Sequence, residues 1–126
     1  MERFLLDTHA LLWTLTEPRK LSKRARAALE DAQNEVFVSP VSVWEIAVKR
    51  ALGKLQAPDN LEASIKEQGF TPLSLTFFHA EQAGALPPHH GDPFDRMLVA
   101  QAQAEGLILV TRDARIPLYG VRTMAA

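Results

Sequence analysis

Four acidic side chains stand where predicted strands end or helices begin, and together they have the chemistry of a metal site. They are Asp7, Glu45, Asp95 and Asp113. Carboxylates that lie close together raise one another's pKa unless a cation offsets their repulsion. Hard oxygen ligands favour Mg²⁺ or Mn²⁺, and Mg²⁺ commonly takes its remaining ligands from water and substrate phosphate. A cluster of these acids therefore indicates phosphodiester chemistry.

Such a cluster predicts a particular division of work among the acids. One or two metal ions would polarise a phosphoryl oxygen, bring water toward hydroxide and stabilise the leaving oxygen. We expect Asp7, Asp95 and Asp113 to be the main ligands, and Glu45 to be either a ligand or the base that orients the nucleophile. The alternative for any single acid is a helix cap, since Asp after a strand commonly has that role.

Alternating apolar and amphipathic segments supply the elements that would position these acids. The predicted strands cover residues 4–6, 36–38, 70–75, 107–111 and 121–124. The predicted helices run from about residue 8 to Pro18, from a cap at Ser22 through Ala32, from Pro40 to Gly53, from about Pro58 or Asp59 to Gly69, over 77–86, and from Pro93 to Gly106. This alternation predicts an α/β fold with a parallel sheet covered by helices. We expect one domain over residues 1–126.

The order of these elements would bring the acids to one edge of the sheet. In an open parallel sheet the functional cleft lies beyond the carboxyl ends of the strands. Asp7 follows the first strand and Asp113 follows the strand at 107–111. Glu45 lies a few residues past the second strand, and Asp95 opens the helix after a histidine-containing loop.

Composition narrows the class of protein. The net charge of −1 does not by itself suggest a nucleic-acid partner. If four of the 15 acidic residues are gathered in one pocket, however, the 14 Lys and Arg outnumber the acids that remain. Cysteine is absent, which excludes disulfides, thiolate metal sites and thiol nucleophiles. No apolar run reaches the ~18–20 residues of a membrane span, so we expect a cytoplasmic protein without a membrane partner.

Four segments together resemble those of PIN-domain proteins, specifically the VapC-type toxins of bacterial toxin–antitoxin pairs. They are LLDTHALLW, SVWEIAVK, HHGDPFDRMLVAQA and LILVTRDARI, and the resemblance runs from end to end of the chain. It implies a three-layer α/β/α domain with a central, mainly parallel sheet, acting as a Mg²⁺- or Mn²⁺-dependent endoribonuclease on RNA. It also implies a cognate VapB-type antitoxin partner and a homodimer.

The resemblance also assigns residues. It carries the acidic roles onto Asp7, Glu45, Asp95 and Asp113, and a supporting hydroxyl onto Thr111. Within DPFD, both Asp92 and Asp95 stand near the third acid of the family. We favour Asp95, because the family's acid is followed three positions later by an aliphatic and then small residues, as Asp95 is here. Asp92 is interpreted as the N-cap of the helix. The segment after Asp113 lacks the aromatic residue that commonly follows the family's last acid.

Basic residues close to the acids are candidates for contacting RNA. Arg96 and Arg112 could hold RNA phosphates or neutralise the acidic cluster. His9, two residues after Asp7, could reach the cleft or bond a backbone group.

Histidines and tryptophans near the acids have two readings each. His89 and His90 lie in a Pro/Gly loop and are expected to be exposed, with contact to phosphate or metal as the alternative. Trp13 and Trp44 are expected to pack in the core or an interface, with base stacking as the alternative.

Two other functions compete with the ribonuclease. A non-catalytic PIN-fold interaction module would keep the fold without cleaving RNA. A metal-dependent phosphatase with an aspartyl nucleophile at Asp7 would be expected to have a second Asp two positions later, where this chain has His9.

Overall fold

A computed structural model describes residues 1–126 and contains one five-stranded parallel sheet. The strands are β1 Arg3–Leu6, β2 Glu35–Val38, β3 Thr71–Pro72, β4 Ile108–Thr111 and β5 Thr123–Ala125. Their order across the sheet is β3-β2-β1-β4-β5, and every neighbouring pair is parallel. The order reverses at the central β1, so this is the point where a parallel sheet opens a crevice at its carboxyl edge.

Six α-helices cover the sheet. They are α1 Thr8–Thr16, α2 Lys23–Glu30, α3 Pro40–Ala51, α4 Leu61–Glu67, α5 Phe77–Ala85 and α6 Pro93–Glu105. None of them is long and apolar enough to cross a lipid bilayer.

The central strand shows how the layers form. Successive side chains of a strand point to opposite faces of the sheet. Phe4 and Leu6 therefore enter one core, which is completed by buried residues of α1 to α4 such as Leu11, Ala25, Ile46 and Ile65. Leu5 enters the second core, which contains Leu98 and Ala102 of α6, and α5 packs against α6. The prediction of helices on both faces of a parallel sheet is confirmed.

Helix caps confirm several predicted boundaries. The side chains of Asp7, Ser22 and Asp92 each accept a hydrogen bond from a backbone N–H in the first turn of the helix that follows. These bonds satisfy N–H groups that have no partner within the helix. Gly106 ends α6 with a φ of 67°, a left-handed conformation that glycine adopts without steric cost.

The remaining boundaries differ from prediction at the edges of the sheet. The predicted strand at 70–75 is only Thr71–Pro72, at an outer position where the missing N–H of proline is tolerated. The last strand is Thr123–Ala125 rather than 121–124. Helix α4 begins later than expected because Asn60, and not Asp59, supplies the capping side chain.

Candidate active site

A cleft of about 360 Å³ opens at the carboxyl edge of the sheet. Five carboxylates line it: Asp7, Glu45, Asp92, Asp95 and Asp113. They lie directly after β1, in α3, at the start of α6 and in the turn after β4, so elements distant in sequence meet here. The structure thus brings together all four acids singled out in the sequence, with Asp92 as a fifth.

Asp7 is held rigidly at the end of β1. Its backbone N–H donates to the carbonyl of Val110 at 3.1 Å, and its side chain accepts from the N–H of Ala10 at 2.8 Å. Burial raises the pKa of Asp7, while the Thr111 hydroxyl and the Ala10 N–H lower it in part. The side chain therefore caps α1 and lines the cleft at once.

Glu45 is almost fully buried, with 2% of its surface exposed. One carboxylate oxygen accepts from the Thr8 hydroxyl and the other from the Lys49 ammonium, both at 2.5 Å. The hydrogen bond to Glu45 raises the pKa of Lys49. Both oxygens of Glu45 are therefore fixed in orientation by partners.

Asp95 shows most clearly how crowded the acids are. Burial, followed by the charges of Asp92 and Glu45, raises the pKa of Asp95 to about 7. The carboxylate of Asp92 accepts hydrogen bonds from the backbone N–H groups of Phe94 and Asp95 at 2.8 and 3.2 Å. The interpretation of Asp92 as the N-cap is confirmed, although the same side chain also lines the cleft.

Asp113 lies where hydrogen-bond donors surround it. Burial raises its pKa, but the backbone N–H and guanidinium of Arg115, together with His90, outweigh this and hold the pKa of Asp113 below its ordinary value. The backbone N–H of Asp113 donates to the hydroxyl of Thr111 at 3.1 Å. The Thr111 hydroxyl thus contacts both Asp113 and Asp7, and its supporting role stays a prediction.

His90 lies inside the acidic cluster, and its expected exposure is wrong. Only 5% of its surface is exposed, and its Nε2 atom is 2.9 Å from Oδ2 of both Asp95 and Asp113. His89, its neighbour, is exposed as expected and contacts the ring of Tyr119 edge-on. The two histidines differ because only His90 contacts the acids, and the composition of the loop does not reveal such a contact.

Two cationic side chains in the cleft were not predicted from the sequence. Lys49 pairs with Glu45 from one helical turn away, and Arg115 pairs with Asp113 from two residues away at 3.3 Å. The i, i+4 spacing of Glu45 and Lys49 is a recognised helical ion-pair signal and could have identified Lys49.

The structure corrects the expectation for Arg96. Its guanidinium points away from the acids and donates to the carbonyls of Ala83, Leu86 and Pro87 at 2.9 to 3.0 Å. It is not among the residues that line the cleft, so it neither neutralises the cluster nor faces a substrate there.

Arg112 does border the cleft, but most of its donors are engaged. Its Nε and Nη2 atoms donate to the carbonyl of Ala126, and Nη2 also bonds the carbonyl of Lys20. The guanidinium lies 4.3 Å from the ring centre of Trp13.

The aromatic residues divide between core and surface. Trp13 packs against the first core and lies 5.8 Å from the ring of His9, which also lines the cleft. Trp44 is 62% exposed and meets Phe94 edge-on with ring centres 5.0 Å apart. Core packing is therefore confirmed for Trp13. Trp44 lies outside the core, and its packing in an interface stays a prediction.

The donor set fits a hard divalent cation. Carboxylate oxygens dominate the cleft, and one oxygen each of Asp95 and Asp113 lies within 4.8 Å of the other and of a His90 ring nitrogen. A carboxyl with a pKa of about 7 beside other acids is a group whose ionised form a nearby cation would stabilise.

Comparison with known proteins places this site in a family. The PIN domain profile matches residues 4–121. The chain belongs to the PIN domain family. Ribonuclease VapC22 of Mycobacterium tuberculosis is 35% identical to this PIN domain over 124 residues, which cover 92% of this chain and 91% of that protein.

Solved structures share the fold at lower identity. The crystal structure of VapBC2 from Rickettsia felis bound to a promoter DNA fragment matches with a TM-score of 0.71 and 12% identity, over 97% of each chain. DNA-bound VapBC from Salmonella typhimurium matches with a TM-score of 0.71 and 20% identity, over 98% of each chain. These likenesses confirm the PIN-like α/β/α fold expected from the sequence.

Proposed function

We propose that this PIN domain is the toxin of a type II toxin–antitoxin pair and acts as a metal-dependent endoribonuclease. The observation that carries the proposal is the convergence of Asp7, Glu45, Asp95 and Asp113 in one cleft, where burial, followed by the charges of neighbouring acids, raises the pKa of Asp95 to about 7. The identity to a ribonuclease over nearly the whole length of both chains supports it.

The acids divide into ligands and a positioned base. Asp7, Asp95 and Asp113 hold Mg²⁺ or Mn²⁺, directly or through water, and Glu45 is a further ligand or orients the attacking water. The cation, when bound, supplies an acidified water and electrostatic stabilisation of the phosphoryl oxygens. Thr8 and Lys49 orient the carboxylate of Glu45, and the Ala10 N–H fixes the rotamer of Asp7.

Cationic side chains on the cleft wall bind the substrate. Lys49 keeps 32% of its side chain exposed, and Arg115 keeps 59%, so both reach solvent beside the acids. With His9 and Arg112 they give RNA phosphates a place to bind next to the scissile bond. Arg96 has no part in this, since it does not line the cleft, whereas Arg112 does.

The partners follow from the relatives. VapBC complexes among the structural neighbours support a VapB-type antitoxin as the partner of this chain.

We infer also that residues 1–126 form a single cytoplasmic PIN domain that assembles as a homodimer. Phe77 and Phe78 at the start of α5, 91% and 59% exposed, supply apolar surface for that contact. Light scattering should give twice the 14.0 kDa of one chain.

Expression in cells tests the toxin function. The chain expressed alone should arrest growth and degrade RNA, and co-expression of the antitoxin should prevent both effects. Asp7→Asn should abolish the arrest, because Asn still caps α1 but cannot serve as an anionic ligand. Asp59→Asn is a matched control on an exposed acid outside the cleft. Soluble expression without arrest would favour the non-catalytic interaction module.

A further inference from the structure

His90 lies between two acids of the cleft, Asp95 and Asp113. Its Nε2 atom lies 2.9 Å from Oδ2 of Asp95 and 2.9 Å from Oδ2 of Asp113, so one ring nitrogen bridges the two carboxylates. With 5% of its surface exposed, the imidazole is part of the cleft wall and not a surface group. Its contact with both acids is direct.

The other ring nitrogen determines where the ring hydrogen is. The backbone N–H of Asp92 donates to Nδ1 of His90 at 3.1 Å, so Nδ1 presents a lone pair. An imidazole keeps at least one ring N–H, and the hydrogen must therefore be on Nε2. Nε2 is thus a hydrogen-bond donor to Asp113 and lies 2.9 Å from Oδ2 of Asp95, and in this orientation it has no lone pair to offer a cation.

The loop that carries His90 is anchored so that the ring stays in place. The His90 backbone N–H donates to the Tyr119 hydroxyl at 2.9 Å. Arg96 donates to the carbonyl of Pro87 at 3.0 Å and also contacts the Tyr119 hydroxyl at 3.3 Å. These contacts connect the loop to α6, which carries Asp95, and to Tyr119 in the segment between β4 and β5 that also contains Asp113.

We propose that His90 is a positioning residue that stands in for the cation. Its Nε2–H donates to Asp113 and lies against the carboxylate of Asp95, so a cation that binds the same two oxygens must displace it. The inference rests on the proposed function, because it takes these acids to be metal ligands. It differs from a simple ligand role for His90, since the imidazole competes with the cation for the carboxylates instead of binding it.

The tautomer can be tested without any variant. A long-range ¹H–¹⁵N correlation spectrum of the ¹⁵N-labelled protein in chelator should show His90 with its hydrogen on Nε2. After addition of Mg²⁺ the hydrogen should remain on Nε2, and its exchange with water should become faster as the bond to Asp113 is lost. A hydrogen on Nδ1, or loss of the Nε2 hydrogen on loading, would overturn the proposal.

Mn²⁺ affinity, measured by calorimetry at pH 8, tests the competition. His90→Ala should bind Mn²⁺ about tenfold more tightly than the wild type, because the competing donor is gone and the two acids repel without relief. In chelator, the same variant should unfold at a lower temperature. His90→Gln, whose amide can still donate, should lie close to the wild type in both measurements, and His89→Ala is the matched control in the same loop.

The outcomes separate the two proposals. Weaker or unchanged Mn²⁺ binding by a folded His90→Ala variant, with normal binding by the wild type, would overturn the stand-in role and leave the metal-dependent function intact. A wild type that binds no Mn²⁺ would overturn both. If His90→Ala does not fold, His90→Asn replaces it, because the shorter Asn side chain has no donor at the position of Nε2. Equal Mn²⁺ affinities of the wild type and His90→Asn would then contradict the proposal.

Discussion

Glu45 and Lys49 form an ion pair in which Glu45 is buried. The loss of one of these side chains is expected to lower the free energy of unfolding. Glu45 is nearly inaccessible to solvent, and Lys49 is its only cationic partner within salt-bridge distance. Removing one partner of a buried ion pair leaves an uncompensated charge, at a cost of up to about 3–5 kcal/mol. Because Lys49 is itself partly exposed, water offsets some of that cost.

We therefore predict that Lys49→Met lowers the free energy of unfolding by about 2 kcal/mol at neutral pH. Lys66→Met is the matched control, since Lys66 forms an i, i+4 pair with Glu62 in which both side chains are exposed. That change should stay within about 0.5 kcal/mol. Urea titration of both variants measures the difference, and equal losses would contradict a buried role for Lys49.

At this scale the sequence predicted the acids better than their partners. Asp7 and Asp113 follow apolar strands, so their meeting at one edge follows from sheet topology alone. The burial of His90 depends on Tyr119, which lies 29 residues away, and no local pattern encodes that contact. For Arg96 a local signal existed, because neighbouring residues of a helix do not face the same side, so Arg96 and Asp95 point in different directions.

The loop at residues 87–92 carries His90, which contacts Asp95 and Asp113. It has little regular structure, and Arg96 supplies most of its anchoring by donating to carbonyls within it and just before it. A planar guanidinium presents several donors at once, which a lysine ammonium cannot reproduce in the same geometry.

Arg96→Lys should accordingly loosen this loop. Hydrogen bonds to charged donors contribute about 1.5–3 kcal/mol, so we predict a loss of about 2 kcal/mol in unfolding free energy. Amide exchange should accelerate in residues 87–92 while the strands stay protected. Arg122→Lys, at an exposed position with a 3.9 Å ion pair, is the control and should change neither. Unaltered exchange in the loop of Arg96→Lys would refute the anchoring role.

Among the elements, strands and helices with strong apolar patterns were predicted closely. The central strands β1, β2 and β4 are buried on both faces, which makes their apolar runs easy to identify. The edge strands β3 and β5 are short and partly exposed, so their limits depend on pairing with a neighbour more than on their own residues.

The whole molecule should respond to pH through its raised carboxyl pKa values. Asp7 and Asp95 have pKa values above 3.8, that of Asp95 being about 7, so the folded chain holds more protons than the unfolded chain between these pH values. The free energy of unfolding therefore falls as pH rises through this window. The pKa of Asp113 is lowered, so this residue contributes stability that is lost only as the pH falls below the ordinary pKa of an Asp side chain, outside this window.

In chelator we predict that the melting temperature falls by about 5 °C between pH 5 and pH 8. Mg²⁺ should raise the melting temperature more at pH 8 than at pH 5, because it binds the ionised carboxylates. Asp95→Asn should flatten the dependence on pH. Calorimetric scans across this range measure the effect, and a melting temperature that rises with pH in chelator would be inconsistent with the raised pKa values.

RNA cleavage by the purified chain, freed of antitoxin, is the most direct measurement of whether the four carboxylates form one metal-dependent site. Cleavage should require Mn²⁺ or Mg²⁺ and stop in chelator, and Asp7→Asn and Asp95→Asn should each lower the rate at least about 100-fold, as expected when a group that positions the reacting atoms is lost. The Asp59→Asn control should cleave like the wild type. Full activity in chelator or in Asp7→Asn would contradict the account.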